Sequence, residues 1–277
     1  CQLCHIDQCS RLMKSKITMK LQLHIAFATL GMFLGMNQMH AQAPNLGAAS
    51  TFGLFTAVGA IDNLANTVIT GDVGTDVGAF NGFPPAVVLG QIHVADPVSA
   101  QVALDVNLAY AELGANPCGT VLGTGLGNGQ VLTPDVYCIG AAAIMDGDLT
   151  FDAQNDPNAL FIVKIDGALS TNLGSRVLLL NGAAQCNIYW QGNGAVDFGG
   201  NSACQGVVFA NGQMTFLVGA SLEGKALAIQ GAIALNENII NTCSPSLLAV
   251  TLTSFEAQTG DLGTVTNVTW QTALESN

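Results

Sequence analysis

A repeat close to twenty residues long constrains this chain more than any other feature. The pattern glycine, any residue, apolar, any residue, and usually apolar again recurs five times. It appears at Gly147-Asp-Leu-Thr-Phe151, Gly167-Ala-Leu-Ser-Thr171, Gly194-Ala-Val-Asp-Phe198, Gly212-Gln-Met-Thr-Phe216 and Gly231-Ala-Ile-Ala-Leu235, with starting glycines 20, 27, 18 and 19 residues apart. A second apolar burst follows within each unit, as at Val177 to Leu180 before Asn181-Gly182 and Val207 to Phe209 before Asn211-Gly212. Short strands punctuated by Gly and Asn at a fixed interval fit a β-solenoid, in which each coil hydrogen-bonds to the next. A β-sandwich with incidental spacing is the competing architecture. Alternation at period two places Leu149, Phe151, Leu169, Val196, Phe198, Met214, Phe216, Ile233 and Leu235 inside. The fold class is therefore mostly β, and 277 residues with 49% apolar content allow one core of that kind.

One segment breaks the β pattern. Asp96 suits an N-cap and Pro97 the first helical turn, after which Val98, Val102, Val106, Ala109 and Leu113 recur at helical spacing up to Gly114. This is an amphipathic helix packed along a flank of the solenoid, with Leu104 and Leu108 expected to widen its apolar surface.

Residues 13–43 have the layout of a secretory signal peptide. Lys14, Lys16 and Lys20 precede an apolar run from Leu21 to Leu34, and Ala41-Gln-Ala43 supplies the small-residue site, with cleavage expected after Ala43. The run is too short and interrupted for a comfortable membrane span, so the mature chain is expected not to insert. Residues 1–12 are read as lying upstream of the true start. Beyond residue 43 three bases (Lys164, Arg176, Lys225) face eighteen acids, a net −15. That balance removes the phosphate-neutralising side chains nucleic-acid binding needs, and keeps the protein in solution by self-repulsion, as a monomer. Five cysteines follow residue 43, none in a Cys-x-x-Cys pair. In an oxidising compartment disulfides are the default, and the expected pairs are Cys118 with Cys138 and Cys186 with Cys204, leaving Cys243 over.

Catalytic chemistry is sparse. Outside the N-terminal segments there is one histidine, His93, and no Gly-x-Ser-x-Gly motif accompanies it. One histidine and paired cysteines leave only carboxylates for a metal, and neither metal nor cofactor is implied. Asp146, Asp148, Asp152 and Asp156 read as solvated turn carboxylates. What remains is a surface. An outward column of Thr150, Ser170, Asp197, Thr215 and Ala234, beside Asp148, Ala168, Ala195, Gln213 and Ala232, would form a flat sheet of short side chains able to order water.

Residues 45–242 resemble the DUF3494-type ice-binding (antifreeze) protein family. The resemblance rests on Leu46-Gly-Ala-Ala-Ser-Thr-Phe52, Val68-Ile-Thr-Gly-Asp-Val-Gly74, Gly82-Phe-Pro-Pro85 and Gly90-Gln-Ile-His93 ahead of the helix. It continues in Leu132-Thr-Pro-Asp-Val-Tyr137, Asp156-Pro-Asn-Ala-Leu-Phe-Ile162, Asn187-Ile-Tyr-Trp-Gln191 and Gly224-Lys-Ala-Leu-Ala228. The resemblance implies a right-handed, discontinuous β-solenoid of triangular section over 44–245 with a long helix alongside. It also implies non-covalent adsorption to ice or ordered water through one flat face, no enzyme activity, and a structural His93. Candidate face residues are Thr150, Ser170, Thr171, Asn172, Ser175, Ser202, Thr215 and Ser221, whereas Asp197, Val218, Ala234 and Glu237 stand where family members often carry Thr. A surface adhesin or glycan-binding solenoid is the alternative function. Residues 246–277 alternate like two strands and resemble the start of a C-terminal β module that commonly follows secreted domains, cut short at Asn277.

Overall fold

The computed structural model describes residues 41–243 and two further strands, Leu252–Thr259 and Thr266–Thr272. Residues 41–243 form a β-solenoid whose wall has three sides. All strand pairings in it are parallel and link one coil to the next, as at Tyr189↔Val207, Asp197↔Thr215 and Ser221↔Ile239. The nine inward residues expected from the repeat are all buried, none more than 4% exposed. Phe198 and Phe216 of adjacent coils stack at 4.1 Å between ring centroids, and Phe151 meets Phe161 and Trp190 edge-on.

Of the glycines that open the repeat units, Gly167, Gly194, Gly212 and Gly231 sit at a corner where coils approach closely, whereas Gly147 is required by its positive φ of 64°. A Cβ built on Gly194 or Gly212 would lie 2.9 Å from a backbone nitrogen of the neighbouring coil, of Ala168 or Ala195 respectively. Any larger residue would push the coils apart, so the spacing of the repeat is a packing requirement.

The coil order is discontinuous. Strand 61–63 pairs with 233–235, strand 54–56 with 226–228 and strand 68–70 with 239–241, so the first coils stack beyond the last on all three sides. The chain must then return to the far end of the stack, and helix α1 (Pro97–Ala115) accomplishes this. Its 19 residues span roughly 28 Å at 1.5 Å each, about six strand spacings of 4.8 Å. A full capping box at Asp96 and Ser99 starts it. His93, in the middle of strand Ile92–Val94, places Nδ1 2.8 Å from the Asp96 carboxylate, with its ring against Phe52, so it supports the cap.

One side of the wall lies under α1. Val102, Val106, Ala109 and Leu113 of the helix pack on Phe55, Val136, Ile162, Tyr189, Phe209 and Leu227, a second core outside the first. Leu104 and Leu108 do not join it. They are 66% and 56% exposed, because one narrow helical stripe already covers the sheet.

Cys118 and Cys138 are bonded as expected. The second bridge is Cys186–Cys243, not Cys186–Cys204, and Cys204 is the free thiol. The reason is the wall itself. Cys204 points into the inner core, while Cys186 and Cys243 lie in the outer cluster beneath the helix. Opposite sides of one sheet cannot be bridged. Burial pushes the Cys204 thiol up to about 12.

Of the acids between residues 146 and 156, Asp152 and Asp156 cap turns, whereas Asp146 ends one strand and Asp148 begins the next. Asp152 accepts from Gln154 N and Asn181 Nδ2, Asp156 accepts from Asn158 N, and Asp148 holds Arg176. No cluster able to hold a metal occurs among the described residues, nor any helix long and apolar enough to cross a membrane. The strands Leu252–Thr259 and Thr266–Thr272 pair antiparallel with each other, within the segment read from the sequence as two strands.

Candidate functional site: an uncovered short-strand face

Eight strands of two to four residues build the side of interest, in the spatial order 80–81, 61–63, 233–235, 214–216, 196–198, 169–171, 143–146, 125–127. The five middle strands, 61–63 to 169–171 in that order, each carry one outward residue between two buried neighbours, and the strands at either end continue the line with Asn81, Ile144 and Gly125. The strand pairings align these in a single file: Asn81, Asp62, Ala234, Thr215, Asp197, Ser170, Ile144 and Gly125. All seven side chains in it are partly or fully exposed. At about 4.8 Å per strand the file runs roughly 34 Å.

A second file lies beside it, two residues earlier on each coil and about 7 Å away. It consists of Ala79, Ala60, Ala232, Gln213, Ala195, Ala168 and Ala142. Backbone bonds from Ile61 N to Ala79 O, Ile233 N to Ala60 O, Met214 N to Ala232 O, Val196 N to Gln213 O, Leu169 N to Ala195 O and Ala143 N to Ala168 O run through it coil by coil. Six methyl groups and one amide therefore flank a file of mixed hydroxyl, carboxylate, amide and methyl groups. Asn81 donates to the Asp62 carboxylate at 2.7 Å, tying two members of the first file together.

The third side is rougher. Asp148, Arg176, Ala203, Ser221, Ile239, Val68 and Val87 form one outward file, and Val131, Thr150, Leu178, Gln205, Glu223, Asn241, Thr70 and Leu89 the next. Arg176 grips Asp148 through two bonds of 2.9 and 2.7 Å, and the guanidinium holds that carboxyl below its usual range. Long side chains make this side uneven.

The residues singled out in sequence scatter accordingly. Ser170 and Thr215 lie in the first file, and Asn172 is exposed at its flank. Thr150 and Ser221 are on the third side, since Thr150 pairs with Leu178 and Val131 while Ile144 occupies the place beside Ser170. Thr171, Ser175 and Ser202 are buried. Thr171 accepts from Gly199 N at 2.8 Å, and Ser175 donates to Met145 O at 3.1 Å. They belong to the corner between coils. Sequence reasoning missed Asp62, Asn81, Ala60 and Ala79. The signal was present, because Gly59-Ala-Ile-Asp62 and Gly78-Ala-Phe-Asn81 repeat the glycine-led pattern 19 residues apart.

A family model described as Ice-binding-like matches residues 55–241. An ice-binding protein of Nostoc sp. strain HG1 is 34% identical over 235 residues, covering 82% of this chain and 85% of that one. The crystal structure of an ice-binding protein from the Antarctic ascomycete Antarctomyces psychrotrophicus superposes with a TM-score of 0.71 at 31% identity, covering 74% of this chain and 100% of that one. One from an Antarctic bacterium, Flavobacteriaceae, gives a TM-score of 0.72 at 38% identity over 79% of this chain and 52% of the other. With the family model spanning most of the solenoid and the folds superposing, the chain belongs to the Ice-binding-like family.

Proposed function

We propose that the protein is exported and adsorbs to ice through the short-strand face, with no catalytic step. The observation that supports this reading best is the pair of parallel files, one almost wholly of methyl groups and one of mixed short polar and apolar groups, repeated coil by coil on the side that carries neither the helix nor long charged side chains. Methyl groups enclose water without binding it strongly, and neighbouring hydroxyls and amides anchor it, so a regular spacing favours a regular water layer. Rigidity matters equally. Two packed cores hold the strands, so the face loses little conformational entropy on binding.

Adsorbed molecules pin a growing ice front at points. Ice between the anchors curves outward, and that curvature lowers the local freezing point and halts recrystallisation. One molecule presents both files complete, so a monomer suffices. Asp197 and Asp62 hold water through charge and work against the lattice arrangement, which sets an upper limit on strength. Ice-affinity purification tests the reading: a growing ice hemisphere should take up the exported protein and exclude its Thr215→Tyr variant. Rejection of both by the ice, with round unshaped crystals at high protein concentration, overturns it.

A further inference from the structure

Residues 41–48 run beside α1, bonded to its side chains at three heights. Gln42 N donates to Asn116 Oδ1 at 2.8 Å, Asn45 N to a Glu112 carboxylate oxygen at 2.8 Å, and Ala48 N to an Asp105 carboxylate oxygen at 2.7 Å. The uppermost contact is reciprocal, because Asn116 Nδ2 donates back to Gln42 O at 3.3 Å. Asn116 is itself held in place. It is the C-cap of the helix, 9% exposed, and its Nδ2 also reaches Glu112 O at 3.0 Å.

We infer that the exported protein begins at Gln42, with the leader cut between Ala41 and Gln42, and that Asn116 is the receptor for the new N-terminus. The inference rests on the export reading above and moves the cut two residues upstream of the Ala41-Gln-Ala43 pattern. Three observations support it. First, a cut after Ala43 would discard the Gln42–Asn116 pair and create an ammonium on Pro44, a buried residue. A cut after Ala41 leaves the Gln42 nitrogen as a donor already aimed at Asn116 Oδ1. Second, the C-terminal end of a helix favours cations, and this end already binds one. Lys164 Nζ donates to Gly114 O and Asn116 O, both at 2.8 Å, and one turn back the Glu112 carboxylate accepts from Asn45 N, so an acid stands on the same stretch of helix. Third, the Ala43–Pro44 peptide is a tertiary amide whose ring crowds the scissile bond, whereas Ala41–Gln42 is an ordinary secondary amide with a small residue before it. The upstream cut gives up only the half-buried Ala41.

The chain from Met13 onward, expressed in a secretion-competent bacterium and collected outside the cytoplasm, tests this by intact mass and N-terminal peptide sequencing. A terminus at Gln42 is expected, as the free amine or, after the amine attacks the side-chain amide carbon and releases ammonia, as the lactam. Both forms keep the N–H that Asn116 accepts. A terminus at Pro44, or anywhere else downstream of the leader, overturns the inference and leaves export standing. A retained leader overturns both. The receptor role has its own readout, independent of whether the terminus is amine or lactam: Asn116→Ala should speed hydrogen exchange at residues 42–46 several-fold while the solenoid strands keep their protection. Unchanged exchange there refutes it.

Discussion

Thr215 stands in register with Asp197 on the adjacent strand, so a methyl and hydroxyl group and a carboxylate are neighbours in one outward file. The pair sits near the middle of the short-strand face, where a change to either side chain alters the level of the whole plane. Thr215→Tyr raises a ring above neighbours that are mostly alanine-sized. It should cut ice shaping and recrystallisation inhibition several-fold, with the unfolding temperature unchanged, because Thr215 makes no core contact. Recrystallisation assays beside thermal unfolding monitored by circular dichroism check both halves.

Asp197→Thr should act in the opposite direction. It replaces a strongly hydrated charge with the group its neighbour already presents, on a β-branched residue suited to a strand. Gln213→Ala completes the methyl file between Ala232 and Ala195. Each should raise freezing-point depression at equal protein concentration, and the double variant should exceed either. A nanolitre osmometer measures this, and a decrease would show that these two residues belong to the contact.

Lys225 is a buried clasp, 1% exposed, donating to Phe52 O at 3.1 Å, to Thr242 Oγ1 at 2.7 Å and to Ser50 O. It ties the segment entering the first coil to the end of the last. Lys225→Met keeps the stem but leaves these acceptors unpaired, which should cost about 1–3 kcal/mol in chemical denaturation. Burial also lowers the amine to about 8 from 10.5. Between those values the unfolded chain binds the proton and the folded chain does not, so stability rises with pH across the window and is flat below it. Subtracting the Lys225→Met profile from the parent profile should isolate that rise.

Cys186–Cys243 closes a separation of 57 residues and fastens the end of the solenoid to its outer cluster. Cys186→Ser with Cys243→Ser should lower stability by about 2–4 kcal/mol. Cys204→Ala should leave both bridges intact. In the native protein Cys204 should resist a thiol reagent and react once on unfolding, which a chromogenic thiol titration with and without denaturant detects.

How much of this was legible beforehand differs by level. The inward residues followed from alternation within each repeat unit, since a strand two to four residues long has one face to bury and a shift by one residue would expose Leu169, Val196 or Met214. The helix from Asp96 followed from its cap and spacing. Placing residues in files did not follow, because pairing joins coils distant in sequence. Ile61 meets Ile233 across 172 positions, and Ile144, not Thr150, stands beside Ser170. The same limit misassigned the second disulfide.

The amino-acid order by itself determined the coil, through glycine at each tight corner and apolar residues at alternate positions, and it determined the acidic, catalytically sparse character of what the coil presents. Tertiary structure alone decided which of three sides is covered, because α1 must return along one of them. It also decided which serines and threonines reach solvent, because the turns at the coil corners draw Thr171, Ser175 and Ser202 inward to bond the neighbouring backbone or line the core.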